Sequence, residues 1–143
     1  MRVSYTRLYF HLIWGTWKRW DLIDSDMEPV LFKVIRAKCG EKGCKAIIVG
    51  GTTNHIHLLV ELRSTISVSD LVQFIKGSSA YIIARQMKPE VFFKWQGGYG
   101  AITVSPQNIP LIKKYIASQK EHHQTGSLNH HWELESQPSI RKV

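Results

Sequence analysis

The stretch "TTNHIHLLVEL", residues 52–62, decides how this chain is read. Its apolar, β-branched second half is a strand, and side chains in a strand alternate between faces. Ile56, Leu58, Val60 and Leu62 therefore share one face, and His55, His57, Leu59 and Glu61 the other. One face is core; the other sets two imidazoles side by side at the strand's start. Upstream, "KAIIVGG" (45–51) is a short apolar strand joined to it through a Gly-Gly-Thr-Thr-Asn turn.

Farther out, "RLYFHLIWGTW" (7–17) reads as a strand with Phe10, Leu12 and Trp14 on one face and Tyr9, His11 and Ile13 on the other. Between these strands, residues 26–42 place Val30, Leu31, Val34, Ile35 and Ala37 or Lys38 at helical spacing, with Asp26 near the start. A second helix is predicted over 67–87, capped by Ser67 or Ser69, with Val68, Leu71, Val72, Ile75, Ser79, Ile82 and Ile83 as its buried stripe. Gly77-Ser78-Ser79 is weak helix-forming sequence in its middle and predicts a close approach by another backbone. "FFKWQGGYGAITVS" (92–105) reads as a strand that bends or bulges at Gly97-Gly98. Ser105 as cap and Pro106 at the first helical position open a third helix, predicted through about His123. The first six elements spell βαββαβ, an α+β ferredoxin-like antiparallel sheet with helices on one face, and one C-terminal helix is left over. Residues 1–125 are expected to form a single domain, followed by a tail over 126–143.

A chain of 143 residues with 43% hydrophobic residues can bury a real core. No apolar run approaches a membrane span, and "MRVSYTRLYF" lacks the features of a signal peptide, so a cytoplasmic protein with no membrane contact is expected. Cys39 and Cys44 form neither a CxxC pair nor a disulfide framework, and are expected as reduced thiols. Nineteen Lys and Arg against eleven Asp and Glu give a net charge of +8, which favours a polyanionic partner. Aromatics stand beside cations in "WGTWKRW" and "FFKWQGGYG", a mixture suited to unstacked bases.

The extra helix carries Leu111, Ile112, Tyr115, Ile116 and Gln119 on one stripe. Tyr115 and Gln119, four apart, stack on one face, with Lys113, Lys114 and Lys120 to the sides. Two imidazoles and an amide oxygen make a three-ligand site with open positions, suited to Mg²⁺ or Mn²⁺ beside phosphate oxygens. A phenol is protonated at neutral pH, so a tyrosine nucleophile would need such a cation beside it.

"NHIHLLVEL" followed by "YIASQKEHH" resembles the single-tyrosine HUH transposases of the insertion-sequence-200-like type, with the REP-associated tyrosine transposases as near relatives. "YFHLIWGT" and "FIKGSSA" are also similar, so the likeness runs from residue 5 to about 123. The resemblance implies that His55, His57 and Gln119 bind the divalent metal. It also implies that Tyr115 attacks single-stranded DNA, forming a 5′-phosphotyrosine link and releasing a 3′-hydroxyl. It implies a homodimer in which the tyrosine helix can pack on the other subunit, and single-stranded DNA with hairpin ends as partner. Arg7, Lys18, Arg19, Lys76, Lys94, Lys113 and Lys114 are the candidate DNA contacts. Asn54 departs from the pattern, standing where several members have Asp, and the His-rich tail with His130 and His131 has no assigned role.

Other readings compete with this one. Tyr99, in "QGGYGA", is a rival nucleophile, although no metal-capable residue stands one turn or one alternate position away. His11 faces the same sheet surface as the pair and is expected as a hydrogen-bonded core residue. A non-catalytic ferredoxin-like nucleic-acid-binding module would use sheet aromatics as a stacking platform and survive chelation. A metal-dependent phosphohydrolase would use water and leave no covalent adduct.

Overall fold

A computed structural model describes residues 3–119. The four strands are β1 (Tyr9–Gly15), β2 (Lys45–Gly51), β3 (His55–Glu61) and β4 (Gly100–Val104). The three helices are α1 (Met27–Glu41), α2 (Val68–Ile82) and α3 (Ile109–Ala117). The strands form one antiparallel sheet in the order β2-β3-β1-β4, the ferredoxin-like arrangement the element order predicts.

Alternation along the two central strands creates two unequal cores. Leu12 and Trp14 of β1 and Ile56, Leu58 and Val60 of β3 face α1 and α2, all buried completely. From α1 this core receives Met27, Leu31, Ile35 and Cys39, a strict spacing of four, while Val30 stays outside. Burial among these apolar groups pushes the Cys39 thiol up to about 12, so it packs as a neutral group. On the opposite face a smaller cluster joins Tyr9, Leu59 and Val104 of the sheet to Ile112, Tyr115 and Ile116 of α3. In β2 the register jumps between Ala46 and Ile48, a bulge that lets both Ile47 and Ile48 pack into this second cluster.

Several boundaries differ from the sequence expectation for identifiable reasons. The cap of α1 is Asp24, whose Oδ1 accepts from the Met27 and Asp26 backbone N–H groups; Asp26 makes no side-chain cap bond. For α2 the cap is Ser67, accepting from the Asp70 N–H, and the helix ends in a wider π-type turn over Ile83–Met87. Among the described residues no other backbone approaches Gly77; the neighbour contact is made by Ser79, whose hydroxyl accepts from Trp95 Nε1 at 3.0 Å. The strand expected over 92–105 shrinks to β4. Residues 92–99 turn away with Gly98 at φ +85°, and pair with the end of β1 only at Thr16 and Trp95.

Ser105 makes no side-chain cap bond, and Pro106 opens a 3₁₀ turn (Pro106–Asn108) instead of an α-helix. The cause is Pro110, which has no N–H to donate back to the residue 106 carbonyl, so α-helical bonding begins only at Ile109. Leu111 is exposed, which narrows the buried face of α3 to Ile112, Tyr115, Ile116 and, just past its end, Gln119. The expected continuation through His122 and His123, Lys120, the domain limit at 125 and the tail lie outside the described residues. Among the described residues no helix is long and apolar enough to cross a membrane.

Candidate active site

The site forms where the start of β3 passes under α3. His55 and His57 lie on the sheet face that α3 covers, 1% and 0% exposed, with ring centroids 5.1 Å apart. Burial on this scale is only tolerable for imidazoles whose ring nitrogens are engaged. His55 Nδ1 donates to Asn54 Oδ1 at 2.8 Å and lies 2.9 Å from the Thr52 hydroxyl. A carbonyl oxygen can only accept, so the ring proton sits on Nδ1. Asn54 thus does with its amide oxygen what a carboxylate would do at the same place. Its own amide is turned by contacts from Nδ2 to Asp21 Oδ1 at 3.4 Å and to the Arg19 carbonyl at 3.5 Å.

His57 is oriented from the other side. Its Nδ1 lies 2.7 Å from His11 Nε2, the two rings being 4.9 Å apart, and His11 is itself completely buried. His11 stands diagonally across the ladder, since Ile13 is the residue directly opposite His57. The sequence placed His11 on this face as a core residue; its contact with His57 depends on strand register, which the pattern alone does not fix.

Tyr115 reaches the same spot from α3, its ring centroid 6.2 Å from that of His57 and its surface 6% exposed. What brings the helix so low is Gly50, the cross-strand partner of His57. A Cβ there would clash with the Ile116 carbonyl oxygen and lie 2.7 Å from Ile116 Cγ2, so only glycine lets α3 settle at this height. The sequence showed Gly50 merely as strand or turn material. The helix therefore rests on the sheet of its own chain.

Gln119 is 1% exposed and lines, with Glu28, Phe32, Gly50 and Gly51, a cavity of about 410 Å³ at the β2 edge beneath the end of α3. Among the described residues no group of three or more His, Cys, Asp or Glu side chains is placed to hold a metal. A divalent cation here would draw on the two histidines and the Gln119 amide oxygen. That set fits: both imidazoles are held through Nδ1, which is how metal-binding histidines are commonly oriented, and an amide oxygen suits hard cations.

The seven candidate cations do not form one surface. Lys18 and Lys94 lie together, both close to the Trp17 ring. Arg19 packs its guanidinium stem over Gly15 in the same loop. Lys76 is a brace, donating to the Gln96 and Gly98 carbonyls at 2.7 and 2.8 Å, with its ammonium pKa lowered by burial. Lys113 and Lys114 are exposed on the outer side of α3, and Arg7 sits at the far end of β1, with Nε 3.4 Å from the Tyr9 hydroxyl. The sheet aromatics Tyr9 and Trp14 are buried, which removes the sheet face as a stacking platform; Tyr99 packs partly against the larger core, away from the histidines.

Comparison with known proteins finds matches over most of the chain. The sequence model described as "Transposase IS200 like" matches residues 4–119. The chain is 28% identical over 120 residues to the ISDra2 transposase TnpA of Deinococcus radiodurans, covering 80% of this chain and 86% of that protein. It is 25% identical over 123 residues to the transposase of insertion sequence element IS200 from Salmonella typhimurium, covering 82% and 80%. Among solved structures it is similar to a Deinococcus radiodurans protein described as a transposase, with TM-score 0.67 and 25% identity over 83% of this chain and 95% of the other. It also shares its fold with a REP-associated tyrosine transposase solved bound to a REP hairpin, at TM-score 0.64 and 13% identity, over 86% and 73% of the two chains.

Proposed function

The chain belongs to the IS200-like transposase family, and from that premise we propose that it cuts and rejoins single-stranded DNA at hairpin-bearing element ends, with Tyr115 as nucleophile. The observation that carries the reading is the convergence of Tyr115 on His57 within one chain, 6.2 Å between ring centres. Two remote parts of the sequence meet there, beneath a helix whose close approach to the sheet depends on Gly50.

The Tyr115 phenolic oxygen attacks the scissile phosphorus; the new bond is Tyr O–P and the broken bond is P–O3′. The phenol's proton is balanced by protonation of the departing 3′-oxygen, leaving a 3′-hydroxyl and a 5′-phosphotyrosine. Attack by another 3′-hydroxyl reverses the step and joins new ends, because the covalent link conserves the phosphodiester's energy. His55, His57 and Gln119 would hold Mg²⁺ or Mn²⁺, which would supply Lewis-acid polarisation of the phosphoryl oxygens. His11 and Asn54 keep the two imidazoles in the required tautomer and orientation. Lys18 and Arg19, in the loop that bonds to Asn54, together with Lys94 and with Lys113 and Lys114 on α3, offer contacts to the DNA phosphates. The protein acts in the cytoplasm as a homodimer.

The test is an adduct assay with labelled single-stranded DNA carrying the hairpin ends beside the gene, with and without Mn²⁺. A metal-dependent, SDS-resistant adduct is expected from the wild-type chain. Tyr115→Phe should bind DNA but form no adduct, and His57→Ala should lose metal-dependent cleavage. Wild-type cleavage by Tyr115→Phe refutes the assignment, and cleavage without any adduct indicates a hydrolase instead.

A further inference from the structure

Residues 16–20 depart from ordinary backbone in a way the reactive site does not require. Lys18 and Arg19 are consecutive non-glycine residues in the left-handed region, at φ 53° and 57°. Such conformations persist only where the surroundings hold them, and they concentrate at functional sites. Here the Lys18 N–H donates to Gln96 Oε1 at 2.9 Å and the Trp17 N–H to the Lys94 carbonyl at 2.9 Å. The Gln96 N–H donates to the Gly15 carbonyl at 2.9 Å, and Lys76 fixes the Gln96 carbonyl from the far side.

The product of this bracing is a projecting aromatic and cationic surface. Trp20 is 49% exposed and Phe92 52%, although their rings meet at 5.8 Å in an edge-on arrangement. Lys94 Nζ lies 4.0 Å from the Trp17 ring centre, and Lys18 Nζ 5.6 Å from Trp17 and 5.9 Å from Trp20. Among the described residues neither lysine has an acidic partner within ion-pair distance. Two large rings kept in water beside two uncompensated cations match a ligand with flat apolar faces and negative charge. The surface also adjoins the candidate active site: the Thr16 N–H and hydroxyl both donate to the carbonyl of Asn54, at 2.9 and 3.1 Å, and Asn54 holds His55.

We infer that Trp20 and Phe92, flanked by Trp17, Lys18 and Lys94, form a stacking site for unpaired bases of single-stranded DNA next to the scissile phosphate. The inference rests on the proposed function for the identity of the strand, and adds where its bases are gripped. Base stacking on exposed rings tolerates sequence, whereas the lysines track the phosphates. The site thus holds the strand as single-stranded and leaves sequence choice to other contacts.

The experiment is fluorescence polarisation of the full chain with an unstructured oligothymidine, and in parallel with a blunt duplex. Trp20→Ala and Phe92→Ala should each weaken oligothymidine binding about tenfold, the scale of one lost base stack, with duplex binding little changed. Trp20→Phe should restore affinity while reducing the quenching of tryptophan fluorescence that oligothymidine produces in the wild type. Because both side chains project, circular dichroism should match the wild type. Unchanged affinity in both alanine variants overturns the inference and leaves the proposed function standing, since Tyr115→Phe must still lose its adduct. An absent adduct in the wild type, with the alanine losses intact, overturns the proposed function and keeps the stacking site. No oligothymidine binding by the wild-type chain overturns the stacking site outright.

Discussion

Replacing Gly50 by alanine should lift the tyrosine helix away from the histidines. The added methyl would meet the Ile116 carbonyl oxygen and lie 2.7 Å from Ile116 Cγ2 and 3.2 Å from the carbonyl carbon. An ordinary carbon–oxygen approach is about 3.3–3.6 Å, so relief requires a displacement on the order of 1 Å. Because the obstacle is helix backbone, no rotamer change provides it, and α3 must move as a unit. Overpacking of this kind costs about 1–3 kcal/mol, or about 3–10 °C in Tm for a chain of this size. The sign is diagnostic, because alanine for glycine inside a strand is otherwise favourable by about 0.5–1 kcal/mol. Tyr115 precedes Ile116 and moves with it, and a misplacement of about 1 Å costs about 100-fold in rate. Thermal melts and single-turnover adduct formation would be measured together, with Gly50→Ala/Ile116→Ala as a control that removes Cγ2 but keeps the carbonyl. That double variant should recover little. A Gly50→Ala protein with wild-type Tm and adduct rate would refute the reasoning, and one that is destabilised but fully active would break its link to the reaction.

Two further outcomes follow from hydrogen bonds at the site and at α1. His11→Ala leaves His57 Nδ1 without its 2.7 Å partner and should weaken Mn²⁺ binding by about 10–100-fold in calorimetric titration, with His11→Gln recovering part of the loss. Asp24 accepts from Lys88 Nζ at 2.7 Å and from the Met27 N–H at 2.8 Å, bonds that hold its carboxyl pKa below the ordinary value. A depressed carboxylate contributes stability above its unfolded pKa and loses it as pH falls through the folded one. The Tm difference between wild type and Asp24→Asn should therefore be greatest at neutral pH and fade below about pH 4; a difference independent of pH would contradict it.

The sheet was legible because period-two alternation in β1 and β3 separates Leu12, Trp14, Ile56 and Leu58 from His11, His55 and His57 without any tertiary information. The same pattern read as far as residue 92 failed. There the Lys94 carbonyl accepts from the Trp17 N–H and the Gln96 N–H donates to the Gly15 carbonyl at the end of β1, and no periodicity announces where a segment spends its hydrogen bonds. The delayed start of α3 was legible in principle, since Pro110 is visible in the sequence and forbids the first α-helical bond of a helix begun at Pro106. Tyr115 and Gln119 were found as a helical pair, but Gly50 and the His11 contact were not. Both act through cross-strand register and helix height, which exist only after the chain is folded.

The two cores divide the labour of this molecule unequally. The larger one, beneath α1 and α2, involves none of the candidate reactive residues and sets the scaffold's stability. The smaller one holds α3 over the histidines with Ile112 and Ile116 packed on Tyr9, Leu59 and Val104, and Tyr115 belongs to it. Without α3 the histidine row would lie open on a half-covered sheet, where water would compete for every ring nitrogen and weaken each polar contact. The helix that supplies the phenol is thus also the roof that makes the imidazoles worth burying. Truncations in the larger core should act on reactivity mainly through global unfolding, because that cluster shares no residue with the one that holds Tyr115. Truncations of Ile112 or Leu59 instead loosen that relation directly, and local opening of a small cluster requires less free energy than unfolding the whole.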